Sequence, residues 1–227
     1  MGRREVMDIF HTQVEPGSIA LAWVNSYSAV VVRTPNVTFL FDPVSMPARP
    51  HLKVDVIAIS HEHPDHWEQE LVVELHQVTG AMVAATPFLA ARLADLPSNK
   101  VRPMEEGNCL EVGGAQLIAL RCLHSARQPV AFLLRSEDGI SLYHPSDSSP
   151  FPEMAEVREK YRPRILLYMG TSFESGARIA QTVRPEVLVS YKIEPPAAGD
   201  RAREILTSLT PGIRYKALQR HEIFVYP

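Results

Sequence analysis

The segment Ser60-His61-Glu62-His63-Pro64-Asp65-His66-Trp67 constrains this chain more than any other. It sets three imidazoles and a carboxylate between positions 61 and 66, after the run Val54-Asp55-Val56-Ile57-Ala58-Ile59, which reads as a buried strand, and before a helical pattern. Along a strand, neighbouring side chains point to opposite faces. In a turn at the strand's end they can converge on one point. Neutral imidazole and carboxylate are the ligands that suit zinc, iron or manganese. A single histidine in such a place reads as structural; this cluster reads as a metal site.

The rest of the chain supplies a frame for that turn. Ile19 to Val24, Ala29 to Val32 and Val37 to Phe41 read as strands, with Thr34-Pro35-Asn36 as a turn. Pro43 through Pro50 carries three prolines and reads as an irregular loop, either a wall of the site or a plain connection. Leu71, Val72, Leu75 and Val78 form a helical stripe closed by Gly80. Ala81 to Ala85 reads as a strand, and Thr86-Pro87 predicts a second helix with Thr86 as its N-cap. Strand pairs flank Gly113-Gly114 and Asp138-Gly139. Beyond them, Ile165 to Met169 and Glu186 to Tyr191 predict strands, Ser175 to Thr182 and Asp200 to Leu209 helices, and Ile213 to Val225 two short strands. Hairpins followed by alternating strands and helices fit sheets covered by helices.

His-Glu-His-Pro-Asp-His resembles the His-X-His-X-Asp-His signature of the metallo-β-lactamase fold hydrolases, and the likeness extends over almost the whole chain. Phe39-Leu40-Phe41-Asp42-Pro43 looks like the strand ending in Asp-Pro that precedes the signature in the small, lactonase-like members. His124 stands where that family's isolated later histidine is expected, and Leu142 to Asp147 resembles its strand ending in a metal-bridging aspartate. The resemblance implies an α/β fold, an αββα sandwich of two mixed sheets with helices outside, as a single domain over residues 1–227. It implies that His61, His63 and His124 hold one metal, that Asp65 and His66 hold a second, and that Asp147 bridges them. Zinc is the expected ion, in one or two copies, with manganese or iron as alternatives. The implied chemistry is attack by metal-bound hydroxide on a small ester, lactone or phosphoester, with Asp65 orienting the nucleophile or taking its proton.

The chain departs from the family at its last motif. Where many relatives carry a final metal-binding histidine, this sequence reads Val187-Leu188-Val189-Ser190-Tyr191-Lys192. Neutral tyrosine is a poor zinc ligand, although phenolate ligates iron. The second metal is therefore expected to bind weakly or not at all, unless His221 substitutes. Ser146 also stands where relatives often have glycine. His144, Tyr191 and Lys192 are candidates for substrate contact, and Arg127 and Gly170-Thr171-Ser172 weaker ones; His11, His51 and His76 read as structural or solvated.

Composition narrows the partners. At 227 residues and 45% hydrophobic, the chain can bury a large core. A formal charge of −3 gives no basic footprint for nucleic acid, which disfavours a nuclease or phosphodiesterase reading. No run reaches the roughly 20 apolar residues of a membrane span, and no signal-peptide pattern is present, so a cytoplasmic protein acting on a small molecule is expected. Cys109 and Cys122 read as reduced thiols. A non-hydrolytic metal-binding or ligand-sensing role is the competing function, since a ligand is missing.

Overall fold

The computed structural model describes residues 9–49, 52–170, 172–192 and 196–227, with the backbone alone at 196–199. The first half of the chain forms β1 (Ile19–Trp23), β2 (Val30–Arg33), β3 (Thr38–Phe41), β4 (Val56–Ile59), α1 (Gln69–Thr79), β5 (Met82–Ala85), the single-turn α2 (Pro87–Ala90) and β6 (Val101–Pro103). The second half forms β7 (Cys109–Val112), β8 (Ala115–Arg121), β9 (Val130–Arg135), β10 (Ser141–His144), α3 (Met154–Tyr161), β11 (Ile165–Met169), α4 (Phe173–Val183), β12 (Val187–Tyr191), α5 (Pro196–Leu209), β13 (Arg214–Ala217) and β14 (Ile223–Tyr226). One sheet runs β14-β1-β2-β3-β4-β5-β6 and the other β13-β12-β11-β10-β9-β8-β7. Both are mixed, and they face each other as the αββα sandwich.

Alternation along the strands builds the layers. Ile19, Leu21, Val30, Val32, Phe39 and Phe41 point inward with Leu117, Phe132, Leu134, Leu142, Leu167 and Val189 of the opposite sheet, forming one core. The intervening residues face outward and are covered as well. Leu40, Ile57 and Val83 meet Leu71, Val72 and Leu75 of α1. Leu133, Tyr143, Leu166 and Leu188 meet α3, α4 and α5. Burial on both faces explains why the strands read as continuous apolar runs. On α4, Gly176 sits where a Cβ would fall 2.6 Å from the Tyr168 ring, so the helix approaches β11 closely because that residue is glycine.

One local expectation is corrected, and two elements appear that the sequence pattern did not mark. Thr86 makes no side-chain cap hydrogen bond, and α2 ends after one turn, continuing as a 3-10 turn over Ala91–Leu93. The edge strand β6, Val-Arg-Pro, is too short, charged and largely exposed to leave an apolar pattern. Helix α3 was hidden because it buries only Met154 and Val157. The Pro43–Pro50 loop is tied down where it is described: Val44 accepts a hydrogen bond from Asn25, Ser45 N–H donates to Glu68, and Met46 and Ala48 join the outer core with Trp67.

Strand polarity decides where the chemistry sits. Strands β3, β4, β8, β10 and β12 end, respectively, beside Asp42, the Ser60–His66 turn, His124, Asp147 and Tyr191-Lys192. β3 and β4 are parallel, as are β10, β11 and β12, and β8 shares their direction through the antiparallel β9. All of these side chains therefore leave the sandwich at one rim.

Candidate metal centre

The first support for the site is Asp42, a residue to which sequence reasoning gave no task. It is fully buried and adopts φ 46° at the end of β3, an uncommon conformation in which Asp is among the better tolerated residues. Its Oδ1 accepts the Ser60 N–H at 2.7 Å, and its Oδ2 accepts the Ser60 hydroxyl at 2.8 Å and the His66 Nδ1–H at 2.9 Å. Burial would raise this carboxyl, but the charge and hydrogen bond of His66 hold it below the ordinary carboxylate range. The legible trace was the strand-ending Asp42-Pro43.

This network sets the histidine tautomers. The Ser60 proton goes to Asp42, and Ser146 Oγ donates to Ser60 Oγ at 2.8 Å. Ser60 Oγ, 2.9 Å from His61 Nδ1, therefore accepts the Nδ1–H of His61. The lone pair of His61 is left on Nε2. That atom is buried and has no hydrogen-bond partner within the protein. An unsatisfied buried acceptor of this kind costs about 1–3 kcal/mol unless something fills the space. Burial, reinforced by the nearby His66, lowers the His61 imidazole to about 4, so it stays neutral and able to ligate.

Two groups of candidate ligand atoms form around it. His61, His63 and His124 make one, and His61, His66 and Asp147 the other, with ligand atoms in each set within 4.8 Å of one another. His63 Nδ1 and His124 Nε2 are 3.1 Å apart. His66 Nε2 lies 3.4 Å from Asp147 Oδ1, which is buried and makes no well-aligned hydrogen bond. Burial would lower the His66 imidazole, but Asp42 and Asp147 together lift it to about 10. Asp147 itself is held below the usual carboxylate range: burial opposes this, and His66 outweighs it. The unpartnered His61 Nε2, the closely spaced His63 and His124 nitrogens and the unpartnered Asp147 oxygen, gathered in one place, are a donor set that fits a divalent transition metal.

The remaining candidates separate. Asp65 belongs to neither group; its Oδ2 sits 2.7 Å from Lys192 Nζ and 3.7 Å from His66 Nε2. At the end of β12, Ser190 points outward to the Tyr215 hydroxyl at 2.6 Å, whereas Tyr191 points into the core. Tyr191 therefore occupies the inward place of the absent histidine. Its hydroxyl is 3.1 Å from His144 Nε2, and burial raises its pKa, so it remains a phenol. His221 lies between β13 and β14, donates its backbone N–H to Trp23 and is in neither ligand group. Arg127 stacks over Phe88 and gives its backbone N–H to Glu62. Ser172 caps α4, and Thr171 and His51 lie outside the described residues. His76 is buried with Nδ1 on the Ala81 carbonyl, and His11 is exposed. Ser146 takes φ 54°, which glycine would adopt without strain.

His144 carries a pH prediction. Ser146 N–H donates to its Nδ1 at 2.9 Å, so the neutral ring's Nε2–H donates to Tyr191. Burial lowers His144 from 6.5 to about 4, with Asp42 opposing. Between those pH values the unfolded chain binds a proton that the folded chain refuses, so stability falls as pH drops through this window. The loss amounts to about 3 kcal/mol by pH 4. Melting curves from pH 7 to 4 should show a shallower decline for His144→Gln than for the wild type; parallel declines would refute this assignment.

A family model described as a beta-lactamase superfamily domain matches residues 26–188, and the chain belongs to that family. A UPF0173 metal-dependent hydrolase of Pyrobaculum islandicum is 28% identical over 181 residues, covering 72% of this chain and 79% of that protein. The structure of Igni18, a metallo hydrolase from Ignicoccus hospitalis, matches with a TM-score of 0.77 at 19% identity, over 92% of this chain and 99% of its own. CmlA, a diiron β-hydroxylase from Streptomyces venezuelae, matches with a TM-score of 0.71 at 15% identity, over 94% of this chain and 54% of its own. Family, fold and histidine cluster define a metal-dependent hydrolase of the metallo-β-lactamase fold. No helix among the described residues is long and apolar enough to cross a membrane.

Proposed function

We propose that this protein hydrolyses a small ester, lactone or phosphoester, with zinc held by His61 Nε2, His63 Nδ1 and His124 Nε2. The observation that carries the reading is the buried, unpartnered His61 Nε2 facing two further imidazoles. Three imidazoles suit zinc, and a diiron protein of the same fold makes iron the alternative to test. A divalent ion there supplies Lewis acidity to the substrate oxygen and the attacking water. The chain's own residues supply the rest. Asp42, through Ser60, holds the His61 imidazole in the ligating tautomer and fixes the His66 ring beside it. Burial would raise the Asp65 carboxyl, but Lys192 keeps it ionised, so it can orient the water and accept its proton. We infer that Tyr191 and His144 shape the floor beneath the substrate.

The test is a panel of generic lactone, carboxylic ester and phosphodiester substrates. Chelation should abolish turnover, and zinc, manganese or iron should restore it. Asp65→Asn should lower kcat by about 10²–10⁴-fold, since it removes the charge and keeps the shape. Turnover indifferent to both treatments would rule out this mechanism. Tight metal binding with no turnover on any substrate would favour a sensing role.

A further inference from the structure

Building on the reading of a metal-dependent site, we propose that the Lys192 ammonium takes the place of a second metal ion, so that the protein works with one ion per chain and an internal cation beside it. Beside Asp65, which the family resemblance assigns to a second ion, the cleft already holds a positive charge. Lys192 Nζ is 2.7 Å from Asp65 Oδ2, and both side chains are partly buried, Lys192 at 24% and Asp65 at 36% exposure. Such a contact is a charge-assisted hydrogen bond within the cleft.

The backbone is shaped for this contact. Directly after β12, Lys192 adopts φ 60°, the left-handed region that residues with a Cβ usually avoid. Tyr191, the residue before it, is fully buried and committed to His144. The strand end therefore offers a cation at the cleft and no imidazole. The Ser28 hydroxyl lies 3.1 Å from His66 Nε2, the atom that a second ion would need. Asp65, held by Lys192, belongs to neither group of ligand atoms, whereas the three-histidine group stands complete without it.

Electrostatic repulsion points the same way. The Lys192 ammonium sits directly on the Asp65 carboxylate, 2.7 Å from Oδ2. A second divalent ion drawn to Asp65 would sit against this ammonium and be repelled by it. Lys192 thus keeps Asp65 ionised and positioned and excludes the competing ion.

The full chain, stripped with chelator, would be titrated with zinc and separately with manganese by equilibrium dialysis, with metal content read by mass spectrometry. The wild type should take up one ion per chain, with no second ion within about a hundredfold of the first Kd. Lys192→Ala should gain a second ion, because Asp65 is released and the repulsion removed. Lys192→Arg, which keeps the charge, should stay at one. Asp65→Asn, independent of any Lys192 variant's folding, should leave the first Kd within about threefold. Two tightly held ions in the wild type, one ion in a folded Lys192→Ala, two in Lys192→Arg, or a larger loss in Asp65→Asn would each overturn the proposal. A wild type that binds no ion would instead bring down the metal-dependent reading, and this proposal with it.

Discussion

Asp42→Ala is expected to lower stability by about 3–5 kcal/mol, the range for removing one partner of a buried charged pair. The carboxylate receives three hydrogen bonds, from Ser60 N–H, Ser60 Oγ and His66 Nδ1, all within the buried rim. Removing it orphans those donors and leaves the His66 imidazole without its strongest counter-charge. Because Asp42 also fixes the tautomers of His66 and, through Ser60, of His61, metal affinity should fall by about 10–100-fold. Asp42→Asn should fall between the two proteins, since its amide still offers one acceptor oxygen but turns an NH2 towards a former donor. Denaturant unfolding of the metal-free protein and zinc titration of the folded one separate the two effects. A metal-free Asp42→Ala within about 1 kcal/mol of the wild type would show that the network is not a stability element.

His61→Ala should remove metal-linked stabilisation altogether. His61 is the residue shared by both ligand groups, and its Nε2 is the acceptor that nothing else satisfies. For the wild type, free metal at a hundred times its Kd should raise stability by about 2.7 kcal/mol, because the ion binds the folded chain alone. The same addition should leave His61→Ala unmoved and inactive on every substrate that the wild type turns over. His76→Ala is the informative contrast: that histidine is buried in α1 against the Ala81 carbonyl, so its loss should cost stability and keep the metal response. Equal thermal shifts on metal addition for wild type and His61→Ala would place the ion elsewhere.

The ligand turn and much of the frame were legible in the amino-acid sequence, because both rest on local chemistry. Apolar runs between Gly, Pro and Asn signals mark strands wherever a sheet is buried on both faces, which holds for β1 to β4 and for β9 to β12. The His61–His66 turn announces itself through ligand density within a few positions. Elements with weak patterns escaped: β6 is a charged edge, and α3 buries two side chains in eight residues. Residues distant in sequence, His124 and Asp147, were tied to the turn only through a family resemblance.

The supporting contacts were decided by tertiary structure alone. That Asp42 sits beneath both Ser60 and His66, that Ser190 faces Tyr215 while Tyr191 faces His144, and that Lys192 reaches Asp65 are facts about pairs separated by 18 to 127 positions. A lone aspartate, serine or lysine has the same local signature whether it supports a metal site or meets solvent. Strand period tells which residues share a face, but the distance between side chains from two sheets depends on how the sheets pack and where each strand stops. Here β3, β4, β8, β10 and β12 all end at one rim, and that shared ending turns scattered polar residues into a single site.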